Sequence, residues 1–246
     1  MDDRRMHSIK LTQAGLSHYV AGSAYNFRQA EVGEQVIQDT NRALATMGIQ
    51  PQALYSGTQV HGVNIEYCDG QTGQDGLYGK TFPDTDGLIT DRPEIALLIK
   101  YADCTPIVLF DPVKKVQALL HSGWRGTVQE IASHAIERME TDFHCQREHL
   151  VAYLGPSIDQ ANYEVGPEVY AAFSAFPDRD QFFQPQPKSD KFKLSMLDAN
   201  RFLLLTNGLK GHQIDVSRQS TIESPALHSA RGEGPTYGLN ALITMI

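Results

Sequence analysis

Residues 95–99 and 107–110 are two uninterrupted apolar runs on either side of the turn KYADCTP, and they limit the possible folds more than any other feature of the chain. A run without polar alternation suits a short strand covered on both faces, because a strand with one wet face would alternate. A third strand is expected at 116–121, where Val116, Ala118 and Leu120 share one face and Gln117, Leu119 and His121 the other. Helical spacing follows in Val128, Ile131, Ala132, Ala135, Ile136 and Met139, behind a capping box formed by Thr127 and Glu130. Buried strands beside amphipathic helices require an α/β or α+β domain built in layers.

The rest of the chain extends this pattern. Gln35–Met47 reads as a helix ended by Gly48, and a second helix runs from a cap at Asp198 to Leu205 with Gly208 beyond its end. Residues 149–154, 213–217 and 239–246 read as strands. The Gly-rich stretch 69–80 reads as a loop, and 176–193, with its prolines and alternating charges, as a long surface excursion. No repeat or compositional break divides the chain, so residues 1–246 are expected to form a single domain.

A net charge of −8 argues against nucleic acid, which is held chiefly by Lys and Arg on phosphates. No run approaches the roughly 18 apolar residues that span a bilayer, so no membrane partner is expected. The N-terminal residues lack the apolar core of a secretory signal. Three cysteines, an odd count, speak against a disulfide framework. These features together point to the cytoplasm.

The residues able to do chemistry gather at strand edges. His61 lies in SGTQVHGVNI, Cys104 in the turn between the two apolar runs, and His121 opens HSGWRGTVQE. Two imidazoles and a thiolate suit zinc, and three protein ligands leave a fourth position for water or substrate. Taken singly, Cys104 is more often a small buried hydrophobe, and His121 a core histidine bonded to a carbonyl. In the turn SGWRG, Arg125 and the backbone N–H groups of Gly126 and Thr127 make a candidate anion cradle at a helix start. Trp124, Asp84 and Asp86 read as structural, and His134, His144, His149 and His212 as solvated or helix-end histidines. Glu164 is a candidate acid or base at no fixed distance from His61.

The motifs TQVHG, DTDGLIT, ADCTPIVLFDP, HSGWRG, LGPSI and YEVG occur in this order, and in them the chain resembles the YfiH-like laccase-domain family, also called multicopper polyphenol oxidase-like proteins or peptidoglycan editing factors. The resemblance implies a four-layered α/β/β/α fold and a zinc ion on His61, Cys104 and His121. It also implies phosphorolysis of adenosine, inosine, guanosine and methylthioadenosine, with adenosine deamination in some members. Nucleoside and phosphate are then the partners, for a monomer or small homo-oligomer. Arg125 joins the triad in the catalytic set, and Asn26 and Arg231 match family positions expected to contact substrate. An older assignment as a copper-dependent phenol oxidase keeps copper as a second metal, although the chain lacks His-Cys-His strings.

The sequence departs from the family where arginines are expected, at Tyr19, Gly232 and Leu239, and Ser220-Thr221 replaces a Cys-Thr pair. Two rivals stand beside phosphorolysis. One is a hydrolase with Cys104 as nucleophile and a histidine as base, acting on a peptidoglycan precursor. The other is a non-catalytic protein that keeps its zinc.

Overall fold

The structure, a computed structural model, describes residues 6–246. Two six-stranded sheets lie face to face. In the first, Ser17–Ala21, Asn240–Met245, Ile95–Tyr101, Ala53–Gly57, Lys80–Phe82 and Gln74–Asp75 are neighbours in that order. In the second the order is Ile214–Val216, Val151–Leu154, Thr105–Asp111, Val116–Ser122, Gly87–Thr90 and Ile65–Tyr67. Both sheets mix parallel with antiparallel pairs.

The apolar runs are covered on both sides, as their composition requires. In the strand Ile95–Tyr101, Leu97, Ile99 and Tyr101 face the second sheet, while Ala96 and Leu98 pack with Val36 and Ala43 of the helix Gln35–Met47. In Thr105–Asp111, Val108 and Phe110 face the first sheet. Ile107 and Leu109 meet the helices Ile131–Phe143 and Met196–Thr206 through Ile136, Met139 and Leu204. Helix, sheet, sheet and helices therefore stack in that sequence, the α/β/β/α order that the resemblance implied. Each of the Leu, Ile, Val, Phe and Met side chains among these stabilises the fold by roughly 1.5–3 kcal/mol when fully buried. Val116, Ala118 and Leu120 face the helices and Leu119 faces the other sheet, the expected split.

The connection between Ile95–Tyr101 and Thr105–Asp111 carries the chain from the first sheet to the second, and Cys104 sits in it. That crossing positions the candidate site.

Several local expectations need correction. Thr127 and Glu130 form no capping box. A short helix, Trp124–Val128, starts at Gly123 and ends before Glu130, which takes a left-handed φ of 60°. The Thr127 hydroxyl turns inward to the Gly123 carbonyl at 3.0 Å, so the cap's side chain is already committed. Ser195, not Asp198, caps the helix Met196–Thr206 by accepting from the Asp198 N–H at 3.2 Å. Asp198 lies in the first turn, where its charge complements the helix dipole.

Segment 176–193 is not simply a surface excursion. The strands Phe183–Pro185 and Phe192–Leu194 join Glu164–Val165 in a third, three-stranded sheet. Phe173, Phe176, Phe182 and Phe183 are buried beneath it in a core of their own. Aromatic packing overrides the polar composition there. Within 69–80, Gln74–Asp75 and Lys80 pair at the edge of the first sheet, and the remainder is loop.

Candidate metal centre and cleft

The three sequence-distant ligand candidates converge. One donor atom from each of His61, Cys104 and His121 lies within 4.8 Å of the others. The two imidazole rings stand at 70° with centroids 4.9 Å apart. His121 comes from the second sheet, His61 from the loop that leaves the first sheet, and Cys104 from the crossing between them.

Local hydrogen bonds fix each donor. The Gln59 side chain donates to the Lys100 carbonyl at 2.6 Å and accepts from the Lys100 N–H at 2.8 Å, acting as an extra rung beside the strand end. This ties the His61 loop to the segment that leads into Cys104. The buried Asp86 carboxylate accepts from the backbone N–H groups of Val60, His61 and Gly62 at 2.9, 3.0 and 2.8 Å. It also bonds His121 Nδ1 at 2.8 Å. With Nδ1 so engaged, Nε2 of His121 is left for Cys104 and a ligand. His61 itself takes a φ of 62°, a strained conformation that the Asp86 cage maintains. Gly123 is required by close approach, since a Cβ there would stand 2.8 Å from His61 Cδ2 and 3.0 Å from Cys104 Sγ.

The charges reinforce one another. Burial pushes the Cys104 thiol up, but the charges of His121 and His61 and their hydrogen bonds outweigh it and bring the pKa down to about 6. Burial pulls His121 down, while the Cys104 thiolate and the Asp86 carboxylate raise it to about 9. Asp86 is driven up by burial and further down by His121 and the backbone N–H groups, so it stays below the usual carboxylate range. A thiolate at neutral pH next to two imidazoles is a donor set for a soft or borderline divalent metal.

The triad opens into a cleft of about 420 Å³ whose other walls include Phe27, Arg28, Lys100, Tyr78, Tyr237 and Leu239. Of the remaining sequence candidates, Arg125 is exposed, its guanidinium 4.3 Å above the Trp124 ring, and it does not line this cleft. Gly126 is buried against the Gly62 carbonyl. Thr127 is fully buried, with its hydroxyl shared among Ser122, Gly123 and Asn200, so that side chain offers nothing to a ligand. Asn26 lies outside the lining. Its side-chain Oδ1 accepts from the backbone N–H groups of Arg28 and Leu239, two residues that do line the cleft. Arg231 is exposed, with its backbone N–H on Asp103 at 2.7 Å and its guanidinium on the Glu164 carbonyl. Tyr163 lies close enough to Arg231, Arg125 and Cys104 to feel their charges. Glu164 pairs with Lys191 at 2.7 Å, outside the cleft.

Among the three positions where a family arginine is missing, Leu239 alone lines the cleft. Tyr19 borders another cavity and Gly232 belongs to the short helix Ala230–Glu233. Ser157 and Ile158 of the LGPSI motif line a separate pocket, although the Ile158 N–H bonds the Asp103 carbonyl behind Cys104. The sequence reading missed Arg28, Lys100 and Tyr237, and it took Asp86 for a turn residue. No local pattern distinguishes them, because each meets the site only through tertiary folding.

Fold and site together define a layered α/β protein whose inter-sheet crossing presents a His-Cys-His set capable of binding a metal. Residues 7–246 match the family described as multi-copper polyphenol oxidoreductase laccase, and the chain belongs to that family. A relative in Bacteroides thetaiotaomicron named purine nucleoside phosphorylase is 31% identical, over 94% of this chain and 88% of its own length. A protein of an unknown prokaryotic organism named adenosine deaminase RL5 is 35% identical, over 62% of this chain and 59% of its own. Among solved structures, YlmD from Geobacillus stearothermophilus has a TM-score of 0.83 at 24% identity, over 97% of this chain and 93% of that one, which shows a common fold.

Proposed function

We propose that the chain is a zinc-dependent purine nucleoside phosphorylase acting on adenosine, inosine, guanosine and methylthioadenosine. The observation that carries this reading is the His61–Cys104–His121 set opening into a nucleoside-sized cleft that also holds aromatic rings and cations. The relative named for this activity supports it. In the reaction a phosphate oxygen bonds to C1′ of the ribose as the bond from C1′ to the base breaks. The purine leaves with that electron pair and takes up a proton, and ribose 1-phosphate remains.

His61, Cys104 and His121 would hold the zinc, which supplies positive charge and Lewis acidity at the cleft floor. Asp86 fixes the His121 tautomer and ring plane, the usual task of a carboxylate behind a metal-bound histidine. Tyr237 and Tyr78, half-buried on the cleft wall, give the purine apolar surface to lie against. Arg125 and Arg231, both close to Tyr163 and outside the cleft lining, add positive charge to the neighbouring surface, which steers anions only at long range. Asn26 acts through Arg28 and Leu239, and Gly126 through its close packing on the His61 loop. Hydrolytic deamination of adenosine, with water replacing the amino group as ammonia leaves, is a second activity suited to the same cleft.

One observation favours a second reading. Cys104, His121 and Asp86 form a thiol–imidazole–carboxylate series, with the Asp86–His121 bond at 2.8 Å. That is the arrangement of a cysteine hydrolase, with Cys104 as nucleophile. Metal analysis of the purified protein, combined with phosphate-dependent release of adenine from adenosine, separates the two. About one zinc per chain and release that needs phosphate, both lost in Cys104→Ala, is the expected result. Copper in place of zinc would revise the metal. Activity that survives chelation but not thiol alkylation would replace the phosphorylase with the hydrolase.

A further inference from the structure

We propose that the phosphate group consumed in this cleft is held by Lys100 and Arg28, which line the same cavity as the triad, rather than at the SGWRG turn with Arg125. The inference rests on the phosphorylase reading for the identity of the anion, but its geometry stands on the cleft alone.

Among the described residues, Lys100 and Arg28 are the Lys and Arg side chains that line the cavity containing His61, Cys104 and His121. Lys100 is half-buried at the end of the strand Ile95–Tyr101, four residues before Cys104. Among the described residues its ammonium makes one hydrogen bond, to the Gly57 carbonyl at 3.2 Å, and meets no carboxylate within ion-pair distance. An ammonium has three donors, so two remain for an oxyanion. The root of this side chain is immobilised, because both backbone groups of Lys100 are bonded to Gln59, two residues from His61. An unpaired, half-buried cation on a rigid root is costly to desolvate unless a ligand brings the compensating charge.

Arg28 is anchored differently. Its Nη1 donates to the carbonyls of Pro235 and Tyr237 at 2.8 and 2.9 Å, and the guanidinium lies 4.0 Å above the Tyr237 ring. Glu31, at 3.3 Å from Nη1, neutralises part of its charge. The remaining N–H groups of the fork stay available for an oxoanion. One full and one partly neutralised cation together suit a phosphate dianion. The SGWRG turn competes poorly. Arg125 is exposed and outside the lining, and the Thr127 hydroxyl and N–H are both committed within the protein.

A phosphate group could enter as free inorganic phosphate or as the 5′-phosphate of a nucleotide. Zinc-loaded wild type, Lys100→Met, Lys100→Arg, Arg28→Met and Arg125→Ala should be compared by calorimetric titration with inorganic phosphate and with adenosine 5′-monophosphate. The KM for phosphate with inosine is measured alongside. Loss of one charge-assisted contact should weaken phosphate about tenfold in Lys100→Met and in Arg28→Met. The KM for inosine should stay near the wild-type value, Lys100→Arg should recover most of the loss, and Arg125→Ala should change phosphate affinity less than about threefold. Melting temperatures identify any variant that fails to fold, and the Lys100 and Arg28 substitutions report independently of each other.

Phosphate affinity that falls in Arg125→Ala and holds in both Lys100→Met and Arg28→Met overturns the proposal. So does the absence of any phosphate or nucleotide binding by wild type. Lys100-dependent binding of the nucleotide without phosphorolysis upholds the anion site and removes the phosphorylase reading. Phosphorolysis with an unchanged KM for phosphate in Lys100→Met and Arg28→Met does the reverse.

Discussion

The Asp86 carboxylate accepts from three successive backbone N–H groups of the His61 loop and from the His121 ring, so one buried side chain orients two of the three metal-ligand candidates. In Asp86→Asn a single acceptor oxygen remains, and the amide NH2 is turned against N–H donors. We expect zinc affinity to fall about 10–100-fold and stability by about 1–3 kcal/mol, read by chelator competition and thermal denaturation. The three cysteines offer a second check at this scale. With its pKa near 6, Cys104 in metal-free protein is thiolate at pH 7 and loses that form as the pH falls through 6. Burial pushes Cys68 up, and takes Cys145 to about 12. Iodoacetamide should therefore modify Cys104 alone in the native protein, with a rate that halves near pH 6, and zinc should protect it. Peptide mapping of the alkylated protein checks this, and equal labelling of the three would contradict the electrostatics.

Elements were legible wherever burial and periodicity agreed. The doubly covered strands, the helix Gln35–Met47 and the stripe of Ile131–Phe143 follow from side-chain pattern alone. The pattern misled at helix starts, where Thr127 had a better partner in its own turn and Ser195 reached the Asp198 N–H first. It misled again at 176–193, whose prolines and charges concealed Phe176, Phe182 and Phe183. Because Phe182 is 1% exposed and packs edge-on against Phe176 and Phe202, Phe182→Ala should cost about 3–5 kcal/mol. Denaturant unfolding would measure it, and a cost below about 1 kcal/mol would return the segment to the surface.

Across the whole molecule the triad joins the two sheets. His121 belongs to the second sheet, His61 follows a strand of the first, and Cys104 sits where the chain passes between them. A metal bound there would link both layers and would stabilise only the folded chain. At a free concentration 100-fold above Kd the gain is about 2.7 kcal/mol. Removing metal with a chelator should lower the melting temperature, returning zinc should restore it, and His61→Ala should abolish the response. Scanning calorimetry at matched zinc concentrations tests this, and an identical melting temperature with and without metal would argue against the shared centre.

What the sequence by itself determined was the layered α/β class and the chemical types of the metal-ligand candidates. Uninterrupted apolar runs demand cover on both faces, and a thiol and two imidazoles at strand edges have few uses in common. The ordered motifs also carried the resemblance that the family match bears out. Tertiary structure alone decided which residues surround the triad. Asp86 meets the His61 N–H and the His121 ring across 25 and 35 residues, while Arg28 reaches the cleft from the start of a short helix and Lys100 from a strand end. Local periodicity reports which way a side chain faces. Which distant strand ends meet depends on sheet pairing and on the packing of one sheet against the other, and neither leaves a mark within a short window of sequence.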